Sequence, residues 1–232
     1  MAGPFSTEGS FTKNTEAEVQ EMLRALEAWS SAQTRPSAAE IARRLAASLP
    51  LVESPQAVDI PGFMGDWFVL ANIPTPLEVG TSNNIEHYDW DEQNKRIQVT
   101  FSYTPGGKPA TTKPSQAFMR GYIKNAPLNT RWSLDVKVGF YLPLGLTYLI
   151  PYIAEDNEYV IVSVPDRSYL WIMTRGRPLP ANTSMPDEAS TSKGVTYLDQ
   201  ESQDRIFQVA VAKAVELGFN ADKIIRVPWT SL

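Results

Sequence analysis

This chain has no cysteine, no excess of positive charge and no long apolar run. Its 232 residues include no cysteine, which excludes disulfides, thiolate zinc sites and thiol catalysis and fits a reducing compartment such as the cytoplasm or an organelle. The formal net charge is -5, so we expect no nucleic-acid partner, because such binding depends on basic surfaces. No run approaches the roughly 18 apolar residues of a membrane-spanning helix, and residues 1–5 lack a secretory apolar core.

Histidine is almost as scarce, since His87 is the only one. A single histidine could ligate a haem. Strand alternation, however, places His87 on the outer face, beside inward-facing Glu86 and Tyr88. We therefore interpret it as a solvated or interface residue, and we expect no cofactor and no metal.

Two capping-box patterns indicate helices in the first sixty residues. Residues 15–18 and 37–40 each place a hydroxyl residue three positions before a glutamate. Apolar residues follow the two boxes at helical spacing: Val19, Met22, Leu23, Leu26 and Trp29 after the first, and Ile41, Leu45 and Leu49 after the second. We predict an N-terminal helical extension over residues 1–58, a hairpin that buries these stripes against the rest of the protein. The competing interpretation makes the hairpin an interaction module or a lid.

From residue 63 to residue 175 the pattern becomes that of β-structure, with aromatic and β-branched runs separated by Pro, Gly and Asn clusters. About eight strands are predicted, over residues 69–70, 85–90, 96–103, 117–123, 131–138, 148–153, 159–164 and 169–174. Eight short strands in sequence favour an up-and-down antiparallel barrel with room for side chains or one ligand. The predicted barrel domain, 59–232, also contains a long loop over 176–198 and a helix over 199–217 that packs outside.

Three motifs in order resemble the lipocalin family, and within it the branch of bacterial lipocalins, plant temperature-induced lipocalins and apolipoprotein D. Gly65-x-Trp67 matches the first family motif. Residues 164–175, VPDRSYLWIMTR, resemble the Pro-Asp-Arg-x-Tyr-Leu-Trp-Ile run that ends in the arginine of the third motif. Residues 216–228 resemble the C-terminal ending of the same branch, whereas the second motif is matched only by Asp156. The resemblance covers roughly residues 60–228 and has no counterpart for the N-terminal extension.

The resemblance implies a barrel that is closed at one end. Trp67 would fill the floor, and the guanidinium of Arg175 would stack on its indole, with Gly65 as part of the same structural floor. Alternation and the resemblance then predict which side chains face the cavity and bind ligand. These are Val69, Ala71, Glu86, Tyr88, Val99, Phe101, Tyr103, Tyr169, Trp171 and Met173.

This aromatic lining suits a small apolar ligand with one polar end. We expect binding, storage or transport of a lipid, fatty acid, sterol, carotenoid-like molecule or tetrapyrrole. The alternative is an isomerase, cyclase or de-epoxidase on the same barrel, with Glu86 and Tyr88 or Tyr103 as acid and base. The resemblance implies that the apolar segment 140–151 is the loop between the sixth and seventh strands. There it would either touch a membrane or a delivering partner, or fold under the N-terminal hairpin.

Overall fold

The computed structural model describes residues 37–108, 113–186 and 195–230. The chain forms two compact units, residues 1–42 and 43–232. The strands of the sheet described below all belong to the second unit.

The main sheet of the described residues is antiparallel and closes on itself. Its strands follow one another in chain order, and β1 pairs with both β2 and β8, which closes an eight-stranded barrel. The strands are β1 (Gly65–Ile73), β2 (Ser82–Asp91), β3 (Arg96–Thr104), β4 (Ser115–Ile123), β5 (Arg131–Val138), β6 (Phe140–Ile153), β7 (Tyr159–Ser163) and β8 (Leu170–Thr174). The predicted fold, a mainly β up-and-down barrel with a C-terminal helix outside it, is confirmed.

Short additional strands accompany the barrel. Strands β9 (Arg177–Pro178) and β10 (Tyr197–Leu198) form a two-stranded parallel sheet at the two ends of the segment predicted as a loop over 176–198. Strand β11 (Ile225–Arg226) pairs with β1. The C-terminal part of the chain is therefore attached to the outside of the barrel through β1.

The described helices are α1 (Ala38–Ser48), α2 (Ile60–Phe63) and α3 (Gln200–Glu216), with a 3₁₀ turn at Ala221–Lys223. Helix α3 lies within one residue of its predicted bounds. Asp199 caps its first turn by accepting the Ser202 amide at 2.8 Å. Gly218 follows the helix at φ +89°, and a Cβ there would lie 2.7 Å from the Ala47 nitrogen, so glycine satisfies both the backbone conformation and the close approach.

The predicted N-terminal extension is only partly described. Its first helix, over residues 15–29, lies outside the described residues. The second corresponds to α1, which has no buried side chain; Ile41, Leu45 and Leu49 are each about half exposed. Residues 51–58 are not helical; they run along the barrel, where the Ser54 amide donates to the Ile150 carbonyl at 2.9 Å and Val58 to Leu128 at 2.8 Å.

Two apolar cores lie on opposite sides of the barrel wall. The inner core includes Phe63, Trp67, Val69, Tyr88, Val99, Trp132, Val160 and Met173. The outer core includes Leu70, Ala71, Ile172, Ile206, Ala210, Ala214 and Phe219. Helix α3 packs against this outer core through Ile206, Ala210 and Ala214, which are buried, whereas Phe207, Val211 and Leu217 are only partly buried.

A β-bulge in β1 changes which side chains face the interior. Val69 pairs with Met173, but the next pair is Ala71 with Ile172, so the register shifts at this point. Ala71 belongs to the outer core and Asn72 pairs with Trp171. The prediction that Ala71 faces the cavity is therefore wrong, because an extra residue reverses the alternation beyond it.

The apolar segment 140–151 is a strand and not a loop. It forms most of β6, which pairs with β5. The pairing begins beside Gly139, where Val138 pairs with Phe140, and continues to the pair of Arg131 with Leu149. The prediction of a loop between the sixth and seventh strands is wrong, because that connection is a turn at residues 154–158. The alternating burial expected of a half-covered strand is weak at this end of β6, where Phe140 and Leu144 are exposed.

Within the described part of the chain, no helix combines the length and apolar character needed to cross a bilayer.

Candidate ligand-binding cavity

One end of the barrel is filled by Trp67 and covered by Arg175. The guanidinium carbon of Arg175 lies 4.0 Å from the centre of the Trp67 ring. The same guanidinium donates to the carbonyls of Met64 at 2.9 Å and Asp66 at 3.0 Å, and also to that of Gly62. The Trp67 indole donates to Phe63 at 2.9 Å and is fully buried. This end is therefore closed by a stacked, hydrogen-bonded plug, in which Gly65 adopts φ +92° beside Arg175.

A cavity of about 710 Å³ occupies the barrel away from this plug. The loops between β1 and β2 and between β7 and β8, at the end opposite Gly65, form its rim. Most of the lining is aliphatic or aromatic. The lining residues are Thr75, Leu77, Glu78, Glu86, Tyr88, Val99, Phe101, Ala117, Met119, Leu134, Val136, Gly145, Leu146, Thr147, Tyr148, Val164, Pro165, Asp166, Ser168, Tyr169, Trp171 and Met173.

Seven of the ten residues predicted to bind ligand lie together in this lining. They are Glu86, Tyr88, Val99, Phe101, Tyr169, Trp171 and Met173. The structure places the other three elsewhere. Val69 is buried in the inner core, Ala71 is turned outward by the bulge, and Tyr103 stacks on Phe101 with ring centres 5.1 Å apart without lining the cavity.

Glu86 is the most unusual polar group of the lining. Its side chain is buried, and its Oε2 atom has no hydrogen-bond partner. Burial, together with the nearby charge of Glu78, raises the pKa of Glu86 to about 8. At pH 7 the carboxyl is therefore largely protonated and uncharged.

Glu78, in the loop after β1, is a cavity residue that sequence reasoning missed. One carboxylate oxygen accepts hydrogen bonds from Trp171 at 2.7 Å and Asn72 at 3.3 Å. The other accepts from the Thr75 hydroxyl at 2.7 Å and the Thr75 amide at 3.0 Å. Strand alternation could not find this cluster, because Glu78 lies in a loop and Asn72 follows the bulge. Alternation along β4 and β5 could have found Met119 and Leu134.

Glu86 and Tyr88, the first acid and base pair of the enzyme alternative, both line the cavity, whereas Tyr103 does not. The Tyr88 hydroxyl lies 2.6 Å from that of Tyr148, and no hydrogen bond joins Glu86 to Tyr88 among the described residues. Burial raises the pKa of Tyr88 and of Tyr148 well above the usual range, so both hydroxyls stay neutral.

His87 points away from the cavity, as strand alternation predicts. Its Nδ1 lies 2.6 Å from Asp66 and its Nε2 lies 3.0 Å from Asp89. Burial lowers the pKa of His87, but the hydrogen bond to Asp66 and the charges of both aspartates outweigh it and raise the pKa overall. Among the described residues, no group of three or more acidic, histidine or cysteine side chains could hold a metal ion.

Arg167 holds the rim loop that contributes Asp166 and Ser168 to the lining. Its guanidinium donates to the carbonyls of Ala46 at 2.9 Å and Leu49 at 2.7 Å, where α1 ends. It also donates to Leu217 at 2.8 Å, just after α3. One cation therefore satisfies carbonyl groups that two helices leave without intrahelical partners.

A closed antiparallel barrel with one plugged end and an internal cavity defines a class of β-barrel proteins, the up-and-down barrels that enclose a chamber. A family model described as the lipocalin-like domain matches residues 58–200. This match spans more than half of the chain, and the chain belongs to the lipocalin-like family.

Several named proteins are similar to this chain. Temperature-induced lipocalin-1 of Arabidopsis thaliana is 21% identical over 188 residues, which cover 76% of this chain and 82% of that protein. A putative lipocalin of Acanthamoeba polyphaga mimivirus is 30% identical over 139 residues, covering 57% of this chain and 75% of that protein. Among solved structures, insecticyanin of the tobacco hornworm Manduca sexta is similar with a TM-score of 0.45 at 16% identity, covering 77% of this chain and 85% of that one.

Proposed function

We propose that this protein binds a small, largely apolar molecule in the barrel cavity, for storage or transport. The observation that carries the proposal is the cavity of about 710 Å³ with its aromatic and aliphatic walls. Ligand pockets for small molecules have volumes of about 300–1,000 Å³, apolar walls and a few placed polar groups. Lipid-, sterol- and pigment-sized molecules belong to the proposed range.

The polar groups of the cavity support this proposal. The inner core already fills the plugged end of the barrel with Phe63, Trp67 and Trp132, so the remaining space is not needed to complete packing there. Glu86 keeps a buried oxygen without a partner, although buried polar groups are nearly always hydrogen-bonded. A ligand with one polar group would complete that site. The proposal does not extend to membrane contact through residues 140–151, because that segment forms a barrel strand.

The test is to fill the cavity from one of its small lining residues. Ala117 lines the cavity, whereas Gln116, its neighbour on β4, is exposed on the outer face. We expect Ala117→Trp to weaken binding of the neutral apolar probe N-phenyl-1-naphthylamine at least about tenfold, since the indole would occupy the ligand's space. Gln116→Trp should leave the affinity unchanged.

Binding is measured by fluorescence titration, with thermal unfolding of each variant to confirm folding. Equal affinities for both folded variants would contradict the proposed site. Absence of binding to the unmodified protein, together with no copurified small molecule in native mass spectrometry, would contradict the function itself.

A further inference from the structure

The ionisable groups of the cavity lining carry charge of only one sign. The lining contains the carboxyl groups of Glu78, Glu86 and Asp166. None of the described residues that line it is lysine, arginine or histidine. An anionic ligand would therefore enter an apolar cavity without a counter-charge, and burial of an unpaired charge is strongly unfavourable.

The three carboxyl groups differ in whether their oxygens are already used. Both oxygens of Glu78 accept hydrogen bonds from surrounding residues. Asp166, at the rim, accepts from the Ser168 amide at 3.0 Å and hydroxyl at 2.6 Å. Glu86 alone of the three has a buried oxygen recorded without a partner. The buried acceptor available to a ligand is therefore the Glu86 carboxyl, whereas Asp166 is exposed at the rim.

A second unpartnered polar side chain lies on the same strand. Asn84 is fully buried, and neither its amide nitrogen nor its carbonyl oxygen has a hydrogen-bond partner. Asn84, Glu86 and Tyr88 are the buried residues of β2. Glu86 and Tyr88 line the cavity, whereas Asn84 lies where the register with β3 shifts and is not part of the lining.

The aromatic walls add a further preference. Phe101, Tyr148 and Trp171 present rings to the same cavity, and an aromatic face attracts a cation placed within about 6 Å of its centre. Acidic oxygens and aromatic faces both favour a positively charged group over a negative one.

We infer that the cavity binds an amphiphilic amine, meaning an apolar molecule with one basic nitrogen. In the complex this nitrogen lies next to the Glu86 carboxyl. This inference rests on the proposed function and specifies its ligand class. A protonated amine supplies both the hydrogen-bond donors and the positive charge that the site lacks. A carboxylic acid of the same length supplies neither when it is ionised.

Binding of an ammonium group next to Glu86 changes the protonation of its carboxyl. In the empty cavity, burial and the charge of Glu78 raise its pKa to about 8. The titratable groups that share its lining are Glu78, Asp166 and the tyrosines 88, 148 and 169, none of which supplies a positive charge. The amine enters with its proton and Glu86 releases its own proton to solvent, which leaves a neutral ion pair.

The experiment compares dodecylamine, 1-dodecanol and dodecanoic acid, each below its aggregation concentration, as competitors of N-phenyl-1-naphthylamine. We expect the amine to bind at least about tenfold more tightly than the acid, because charge-assisted hydrogen bonds are worth about 1.5–3 kcal/mol. Glu86→Gln should remove most of this advantage, because it weakens dodecylamine binding far more than dodecanol binding. The matched control is Glu155→Gln, an exposed glutamate in the turn between β6 and β7, which should behave as the unmodified protein.

A second measurement separates a direct pairing from a general effect on the cavity. Calorimetric titration of dodecylamine at pH 7 in buffers of different ionisation enthalpy should show release of close to one proton, falling towards zero at pH 9. Glu86→Gln should show no release. Equal affinities for the amine and the acid, or amine binding without proton release, would overturn the inference. If the fluorescent probe and all three competitors fail to bind, the proposed function itself is refuted.

Discussion

Replacing Glu86 by glutamine should change the way stability depends on pH, even without a ligand. In the folded protein the carboxyl has a pKa of about 8, compared with an ordinary value of 4.5. Between these two pH values the folded protein holds a proton that the unfolded chain has released. The contribution of Glu86 to the free energy of unfolding is therefore fully present below pH 4.5 and is lost as the pH rises to about 8.

The magnitude follows from the difference between the two pKa values, about 3.5. At about 1.4 kcal/mol for each pKa unit, the upper limit is about 5 kcal/mol. Water that enters the cavity from the rim solvates the charged form and reduces this value, so we expect the free energy of unfolding to fall by about 2–3 kcal/mol between pH 5 and pH 9. Glu86→Gln, which keeps the shape of the side chain without the ionisation, should lack this contribution.

The assay is urea unfolding of the unmodified protein and of Glu86→Gln at pH values from 5 to 9. The difference between the two free energies isolates Glu86, because the other titrating groups are common to both proteins. Glu155→Gln, at an exposed position, is the control. Its free energy of unfolding should differ from that of the unmodified protein by the same amount at every pH. A difference between the unmodified protein and Glu86→Gln that is the same at pH 5 and pH 9 would refute the reasoning.

Three further changes test the plug, the rim and the outer face. Arg175→Lys should lower the free energy of unfolding by about 2–3 kcal/mol in urea unfolding, because an ammonium cannot both stack on Trp67 and bond several carbonyls; an unchanged midpoint would contradict the role of the stack. Arg167→Ala should cost about 2 kcal/mol and speed amide hydrogen exchange at the ends of α1 and α3, whose carbonyls it bonds; unchanged exchange there would contradict the capping role. In an NMR titration His87 should show a pKa above 6.5 that decreases in Asp66→Asn, and a value at or below 6.5 would contradict the ion pairs. Because His87 is more than a third exposed, it should stabilise the protein by no more than about 0.5 kcal/mol below pH 6.5, a contribution lost as the pH rises through its folded pKa.

Much of the barrel could be predicted because its strands alternate with a period of two and are separated by strong turn signals. Helix α3 was predictable to within a residue for a similar local reason, since Asp199 and Gly218 mark its two ends. The loop assignment of segment 140–151 came from the family resemblance and is wrong, and the segment itself gave no strand signal, because it is apolar on successive positions and contains Pro143 and Gly145. Only its pairing with β5 makes it a strand.

The lining residues of the cavity were predictable where strand alternation alone determines them. They were not predictable where strand register or loop conformation determines them. Glu86 and Trp171 were found because each lies on a regular stretch of strand. Ala71 was misplaced and Asn72 was missed because a bulge has no clear sequence signal. Glu78 was missed because a loop residue has no periodicity, although four hydrogen bonds hold its carboxylate in the cavity.

The bulge in β1 turns two successive side chains, Leu70 and Ala71, to the outer core. Before it, Trp67 and Val69 belong to the inner core, whereas Ala71 after it packs in the outer core with α3. A larger residue at position 71 would clash with α3 and leave the volume of the cavity unchanged. A substitution at position 71 therefore acts on the attachment of the C-terminal helix and not on the space available to a ligand.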